Sequence, residues 1–267
     1  MSGSGSNITK LLELQGTLEA RTDGSPFRVC VLVTDTSDPE RCNARSIAKR
    51  HRDLPVVELD LRAFYRQRGM EKTSLMTPQG FRIREEWTEE LWRRLQPHRP
   101  DLGAFGGFEP LSNICRHFPC VNVHPGDLSV MRDGKPYLVG LHTIPIKRAI
   151  LAGLSELRTT TILATPYTER LEMDEGPVLM ISEPLKIELP SGVSVQDLEK
   201  PGKAEMLENL AKRHQARLKE AGDWKVFPLT IQLVAEGRFG LDEAGRVTFD
   251  HQPLDRGLRL PVPSIES

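Results

Sequence analysis

The chain reads as one α/β domain: a mainly parallel sheet covered by helices on both faces, with a C-terminal helix and hairpin. Three observations predict this. Short apolar runs alternate with helical periods along most of the 267 residues. The first run, Phe27 to Val33, is continuously apolar, as a strand buried on both faces requires. Polar, Gly or Pro residues close these runs, as at Thr34 to Pro39 and at Pro125-Gly126.

The elements follow in order. Met1 to Ser6 is Ser/Gly-rich and reads as a disordered tail. Ile8, Leu11, Leu12, Leu14 and Leu18 have rough helical spacing, so a short amphipathic helix follows, packed on the domain or on a partner. Residues 1–24 are thus a tail with a helix, and 25–267 the domain. Strands are expected at Phe27 to Val33, Leu54 to Leu59, Leu102 to Phe105, Cys120 to His124, Thr160 to Ala164 and Val178 to Ser182. Helices are expected at Ala44 to His51, Ile83 to Gln96, Ile144 to Leu154 and Lys203 to Ala221. Trp87, Leu91, Trp92 and Leu95 form a core stripe on the second of these helices. Phe239 to Phe249, with Asp242-Glu243-Ala244-Gly245 between apolar runs, reads as a hairpin.

Composition narrows the function classes. Charged residues make up 27% and the net charge is −1, so no global field draws the chain to nucleic acid or membrane. No apolar stretch approaches the ~20 residues that span a bilayer, and no basic start precedes an apolar core, so a cytoplasmic location is expected. The four cysteines, Cys30, Cys42, Cys115 and Cys120, show no CxxC spacing and read as reduced thiols. A metal site at Cys115, Cys120 and His117 is the weaker reading, and no metal is expected.

Chemistry concentrates in two stretches. Val121-Asn122-Val123-His124-Pro125-Gly126 ends an apolar run with an amide and an imidazole two residues apart. Side chains alternate faces along a strand, so Asn122 and His124 point the same way at its C-terminal rim. Ligands of doubly wound sheets bind at that rim. Met173-Asp174-Glu175-Gly176-Pro177-Val178 brings a carboxylate into a turn before the next strand. An amide for an oxyanion, an imidazole for a proton and a carboxylate to orient it suit acyl transfer without a covalent nucleophile.

With Gly140-Leu141-His142-Thr143 and Pro100 to Phe108, these motifs resemble the folate-dependent formyltransferases, from about Arg28 to about Leu260. Phe227-Pro228-Leu229 through Phe239 is similar to that family's C-terminal helix and following strand. The likeness is greatest to the branch that formylates glycinamide ribonucleotide. It implies a Rossmann-like formyltransferase sheet, 10-formyltetrahydrofolate as cosubstrate, and catalysis by Asn122, His124 and Asp174. It also implies folate binding at Gly107, Phe108, Leu111, Thr165 and Glu175, with the loop from Thr165 to Asp174 on one side of the pocket. Thr34, Thr36 and His142 would face the acceptor; for His142 a loop-bracing role is an equal alternative. Expected partners are a small-molecule amine and, as one option, a second copy of the chain.

The departures concern the acceptor. Where that branch has a Gly/Ser-rich phosphate loop, this chain reads Thr34-Asp35-Thr36-Ser37-Asp38-Pro39-Glu40, with three carboxylates and no glycine. Glu109-Pro110 stand where the family has an Arg. The connection from His124 to Gly140 is longer, with Arg132-Asp133-Gly134-Lys135 inserted. An acceptor other than glycinamide ribonucleotide is therefore expected. Alternatives within the fold are a sugar-nucleotide N-formyltransferase and a formyltetrahydrofolate hydrolase, although no room for a regulatory domain precedes Phe27. A basic barrel for tRNA has no counterpart. Of other classes, a catalytically silent folate-binding module competes, while a dehydrogenase would need a GxGxxG after the first strand, which is missing.

Overall fold

A computed structural model describes residues 1–21, 23–168 and 174–261. The chain forms two compact units, Met1–Asn122 with Leu163–Met173, and Val123–Ile162 with Asp174–Ser267.

The first unit opens with α1 (Ser6–Glu19), which buries Ile8, Leu11, Leu12 and Leu18. Strands β1 (Leu32–Thr34) and β2 (Val56–Glu58) pair in parallel around α2 (Ala44–Arg50). Then come α3 (Leu61–Arg66), α4 (Pro78–Leu95), β3 (Gly103–Phe105) and β4 (Cys120–His124). β3 and β4 are parallel, with Phe105 opposite Asn122. Trp87, fully buried on α4, donates its indole N–H to Leu59 O at 3.1 Å and stacks on Phe108. It centres a core with Phe64, Tyr65, Ile83, Leu91, Leu95, Ile114 and Cys120. Trp92, by contrast, is half-buried and stacks on His117.

In the second unit a small hairpin, β5 (Met131–Arg132) and β6 (Lys135–Pro136), precedes α5 (Ile144–Leu151), β7 (Glu156–Leu157), β8 (Thr160–Leu163), β9 (Val178–Ile181) and β10 (Leu185–Lys186). Helices α6 (Val195–Leu198), α7 (Ala204–Leu218) and α8 (Trp224–Ala235) follow. Ile146, Ala149 and Ile150 of α5 share a core with Leu210, Ala211 and Leu218 of α7. β11 (Phe239–Leu241) and β12 (Val247–Phe249) make the expected hairpin, extended by β13 (Gln252–Pro253); β14 (Leu258–Arg259) pairs in parallel with β9. The five-stranded sheet has the order β14-β9-β8-β4-β3.

Five expectations are corrected. Met1 to Gly5 is not a disordered tail: Ser2 N–H donates to Gly107 O at 2.8 Å and Asn43 N–H to Gly3 O at 3.2 Å. β1 starts at Leu32 rather than Phe27, because the Gln15 side chain of α1 takes the Val29 N–H at 2.8 Å. α4 starts five residues early, where Thr77 Oγ1 accepts the Gly80 N–H and Pro78 occupies the first turn. β8 and β9 are antiparallel; a parallel pair needs a crossover helix, and residues 164–168 and 174–177 contain none. Finally, α7 yields at Leu218 to a π turn, Lys219–Asp223. There the Asp223 carboxylate accepts the Thr159 hydroxyl at 2.6 Å, and a Cβ on Gly222 would lie 2.5 Å from Thr159 Oγ1.

Candidate active site

β4 carries Asn122, half-buried, and two residues later His124, only 3% exposed. By strand alternation the two side chains share a face. Pro125-Gly126 ends the strand.

Within the second unit both nitrogens of His124 are engaged. Nε2 lies 2.6 Å from Leu138 O; a carbonyl can only accept, so Nε2 carries a proton. Nδ1 lies 3.3 Å from Asp174 Oδ2. Gly126 keeps the Leu138 contact open: a Cβ there would stand 2.6 Å from Leu138 O and 2.9 Å from Nε2.

Asp174 Oδ2 also accepts the Gly140 N–H at 3.2 Å. Burial alone would raise this carboxyl. The hydrogen bond and charge of His124, with the Gly140 N–H, more than reverse it and hold the group below its ordinary 3.8. Asp174 has φ 58°, a left-handed backbone that costs a non-glycine residue about 1–2 kcal/mol. Its two carboxylate contacts fix it there. His142, exposed and at φ 54°, precedes α5, where Thr143 and Lys147 both donate to Glu208.

Three of the expected folate positions, Gly107, Phe108 and Leu111, follow β3 in the first unit. Gly107 is exposed at φ 71° and its carbonyl accepts from Ser2; Phe108 packs inward on Trp87 and Phe105. The Leu111 carbonyl accepts from Arg84 Nη1 at 2.7 Å. Thr165 is exposed, as is Glu175 in the second unit. Residues 169–173 of the expected folate loop lie outside the described residues.

Sequence reasoning missed the clamp that starts this loop. Asn113 accepts the Tyr167 N–H at 2.8 Å and donates to the Tyr167 carbonyl at 3.2 Å. It also donates to Glu85 at 2.9 Å, which accepts the Tyr167 hydroxyl at 3.0 Å. Burial, then the charge of Glu85, push the Tyr167 phenol well up. Leu138 was missed as well; its one signal was the lengthened connection after His124.

The loop after β1 turns inward. Thr34 and Thr36 are buried, and their hydroxyls serve the loop itself: Thr34 Oγ1 donates to Thr36 O and accepts the Thr36 N–H, and Thr36 Oγ1 accepts the Asp38 N–H. Asp60 Oδ2 accepts the Ser37 N–H, and Asp38 Oδ1 the Glu40 N–H. Asp38 O accepts those of Arg41 and Cys42. Among the described residues no group of three or more His, Cys, Asp or Glu is placed to hold a metal ion, and no helix is long and apolar enough to cross a membrane.

No family model matches the chain, and no curated protein matches it in sequence. Solved structures do. Glycinamide ribonucleotide transformylase 1 from Symbiobacterium toebii superposes with TM-score 0.60 at 23% identity, over 93% of this chain and 91% of that one. Phosphoribosylglycinamide formyltransferase from Anaplasma phagocytophilum gives 0.60 at 18%, over 97% and 96%. A formyltetrahydrofolate deformylase from Pseudomonas syringae pv. tomato gives 0.54 at 15%, over 92% of this chain and 62% of that one.

Proposed function

We propose that this chain, which has the fold of the folate-dependent formyltransferases, transfers a formyl group from 10-formyltetrahydrofolate to an amine, and that the amine is not glycinamide ribonucleotide. In the reaction the amine nitrogen attacks the formyl carbon, giving a tetrahedral oxyanion. The bond from carbon to the folate nitrogen then breaks, and one proton passes from the amine to that nitrogen. Asn122 donates its amide N–H to the oxyanion. His124, held between Leu138 and Asp174, supplies positive charge beside it when protonated. Relay of a proton through Nε2 requires that nitrogen to leave the Leu138 carbonyl. Asp174 holds the ring and takes up the amine proton, directly or through water.

One observation carries the acceptor half of this reading. A phosphate monoester needs free backbone N–H groups or cations. The N–H groups of Thr36, Ser37, Asp38, Glu40, Arg41 and Cys42 are all spent on acceptors of the chain itself. Of the cations in and after the inserted connection, Lys147 pairs with Glu208 and Arg132 lies over the Tyr137 ring, while Lys135 is exposed. A neutral or cationic amine suits the acidic loop better.

Steady-state release of tetrahydrofolate with a panel of amines tests both halves. Glycinamide ribonucleotide should give a kcat/KM below the ordinary enzyme range of about 10⁴–10⁸ M⁻¹s⁻¹, while an unphosphorylated amine reaches it. A value inside that range for glycinamide ribonucleotide overturns the loop argument, and no release with any amine overturns transfer.

A further inference from the structure

Ligands of a doubly wound sheet enter at the carboxyl ends of its strands. In the first unit, the loops after β1 and β3 at that end enclose a segment of the chain itself. The Met1 ammonium donates to Val33 O at 2.7 Å, and Cys42 Sγ lies 3.6 Å from Met1 O. Ser2 spans to the other loop, donating to Gly107 O and accepting the Glu109 N–H at 2.9 Å. Gly3 and Ser4 carbonyls accept from Asn43. Asn7 and Ile8 press on Gly106, where a Cβ would stand 2.7 Å from Ile8 Cδ1.

We infer that residues 1–5 are an internal occupant of the acceptor pocket, a strap that must withdraw before the amine enters. The inference rests on the transfer reading above. Three features support a removable segment rather than a fixed part of the core. Apart from the buried Met1 side chain, the strap has no apolar anchor: residues 2–5, Ser-Gly-Ser-Gly, hold by hydrogen bonds, each of small net value against the ordering of a flexible stretch. Burial pushes the Met1 ammonium down to about 6, only partly offset by Asp35, Cys42 and Glu109, so closing the strap strips water from a charge. Asp35 Oδ1 is buried there with no hydrogen-bond partner, an acceptor that an incoming N–H donor would satisfy. What the strap leaves behind, a carbonyl and a carboxylate, is a lining suited to N–H donors of the acceptor, such as the carboxamide of glycinamide, while the attacking amine itself is unprotonated.

Two strap-open variants provide the test: deletion of residues 1–4, and Gly5→Val. Gly5 sits at φ 69°, and a Cβ there would come within 2.2 Å of the Met1 side chain and 2.5 Å of Ile47, so the second variant dislodges the strap while keeping α1. The first readout is independent of turnover. Cys42 is buried beneath the strap, and both variants should react with a thiol reagent at least about tenfold faster than the full chain. Saturating glycinamide, used as a plain amine probe, should restore slow labelling. The second readout is kcat/KM for glycinamide with 10-formyltetrahydrofolate, which should rise by a similar factor as the competent fraction rises. Folded variants whose Cys42 labels at the full-chain rate, or is not protected by glycinamide, overturn the strap. Protection without turnover in any form leaves the strap standing and removes the transfer reading instead.

Discussion

Two strand ends in this molecule carry charge in opposite ways. The loop after β1 spends six N–H groups on acceptors of the chain, five within the loop and that of Ser37 on Asp60, among three carboxylates. At the end of β4, His124 is wedged between a carbonyl and a carboxylate, both acceptors. The first arrangement closes a place where an anion would otherwise be cradled; the second builds a donor. On the proposed reading, chemistry is kept at the end of β4 while recognition changes at the end of β1.

The sharpest way to break this contrast is at β4. His124→Ala should lower turnover by roughly 10²–10⁴-fold, the usual worth of a positioned acid–base group, with folate affinity little changed. Near-normal turnover would remove the β4 end from the chemistry.

Asp174→Asn probes the same end by stability. The carboxyl sits below its ordinary 3.8 when folded, so its contribution is fully present above that value and is lost as pH falls through the folded one. A charged hydrogen bond contributes about 1.5–3 kcal/mol; the variant should lose about that much at neutral pH and match the parent in strong acid. Melting temperature against pH measures it, and parallel curves at every pH would show that the pair carries no charge-dependent stability. Asn keeps the left-handed backbone, so strain does not confuse the comparison.

The smallest effect belongs to the β1 loop. Thr34→Val removes one buried hydroxyl with two loop contacts, at a cost of about 0.5–1.5 kcal/mol in denaturant unfolding. If stability is unchanged while KM for the amine moves, the hydroxyl faces the acceptor and the loop is less self-contained than its hydrogen bonds suggest.

The readable parts of this molecule are those with a strict local period. Cys120 to His124 is an apolar run stopped by Pro125-Gly126 and forms a strand with those bounds; the stripe of Trp87 and Leu91 buries as spaced. Asp174 and His124, fifty residues apart, stand 3.3 Å from each other; the family resemblance implied that pairing, while Gly-Pro after the carboxylate indicated only a turn. What escaped depends on single long-range partners. Gln15 shortening β1, Asn113 copying a strand neighbour for Tyr167, and Leu138 claiming Nε2 each involve one atom meeting another from a distant segment. Composition misled at Met1 to Gly5: small polar residues indicate a floppy chain when nothing binds them, and here two loops do.

The Leu138 contact turns His124 into a gauge. An imidazole whose two nitrogens are both claimed by main chain and carboxylate has a distinctive ¹⁵N signature, and that signature belongs to the docked position of the connection between β4 and α5. Any ligand that frees Nε2 from the carbonyl must change the ring's nitrogen shifts before any product forms. One labelled histidine can therefore report, in solution and without turnover, whether a candidate compound reaches this end of the sheet.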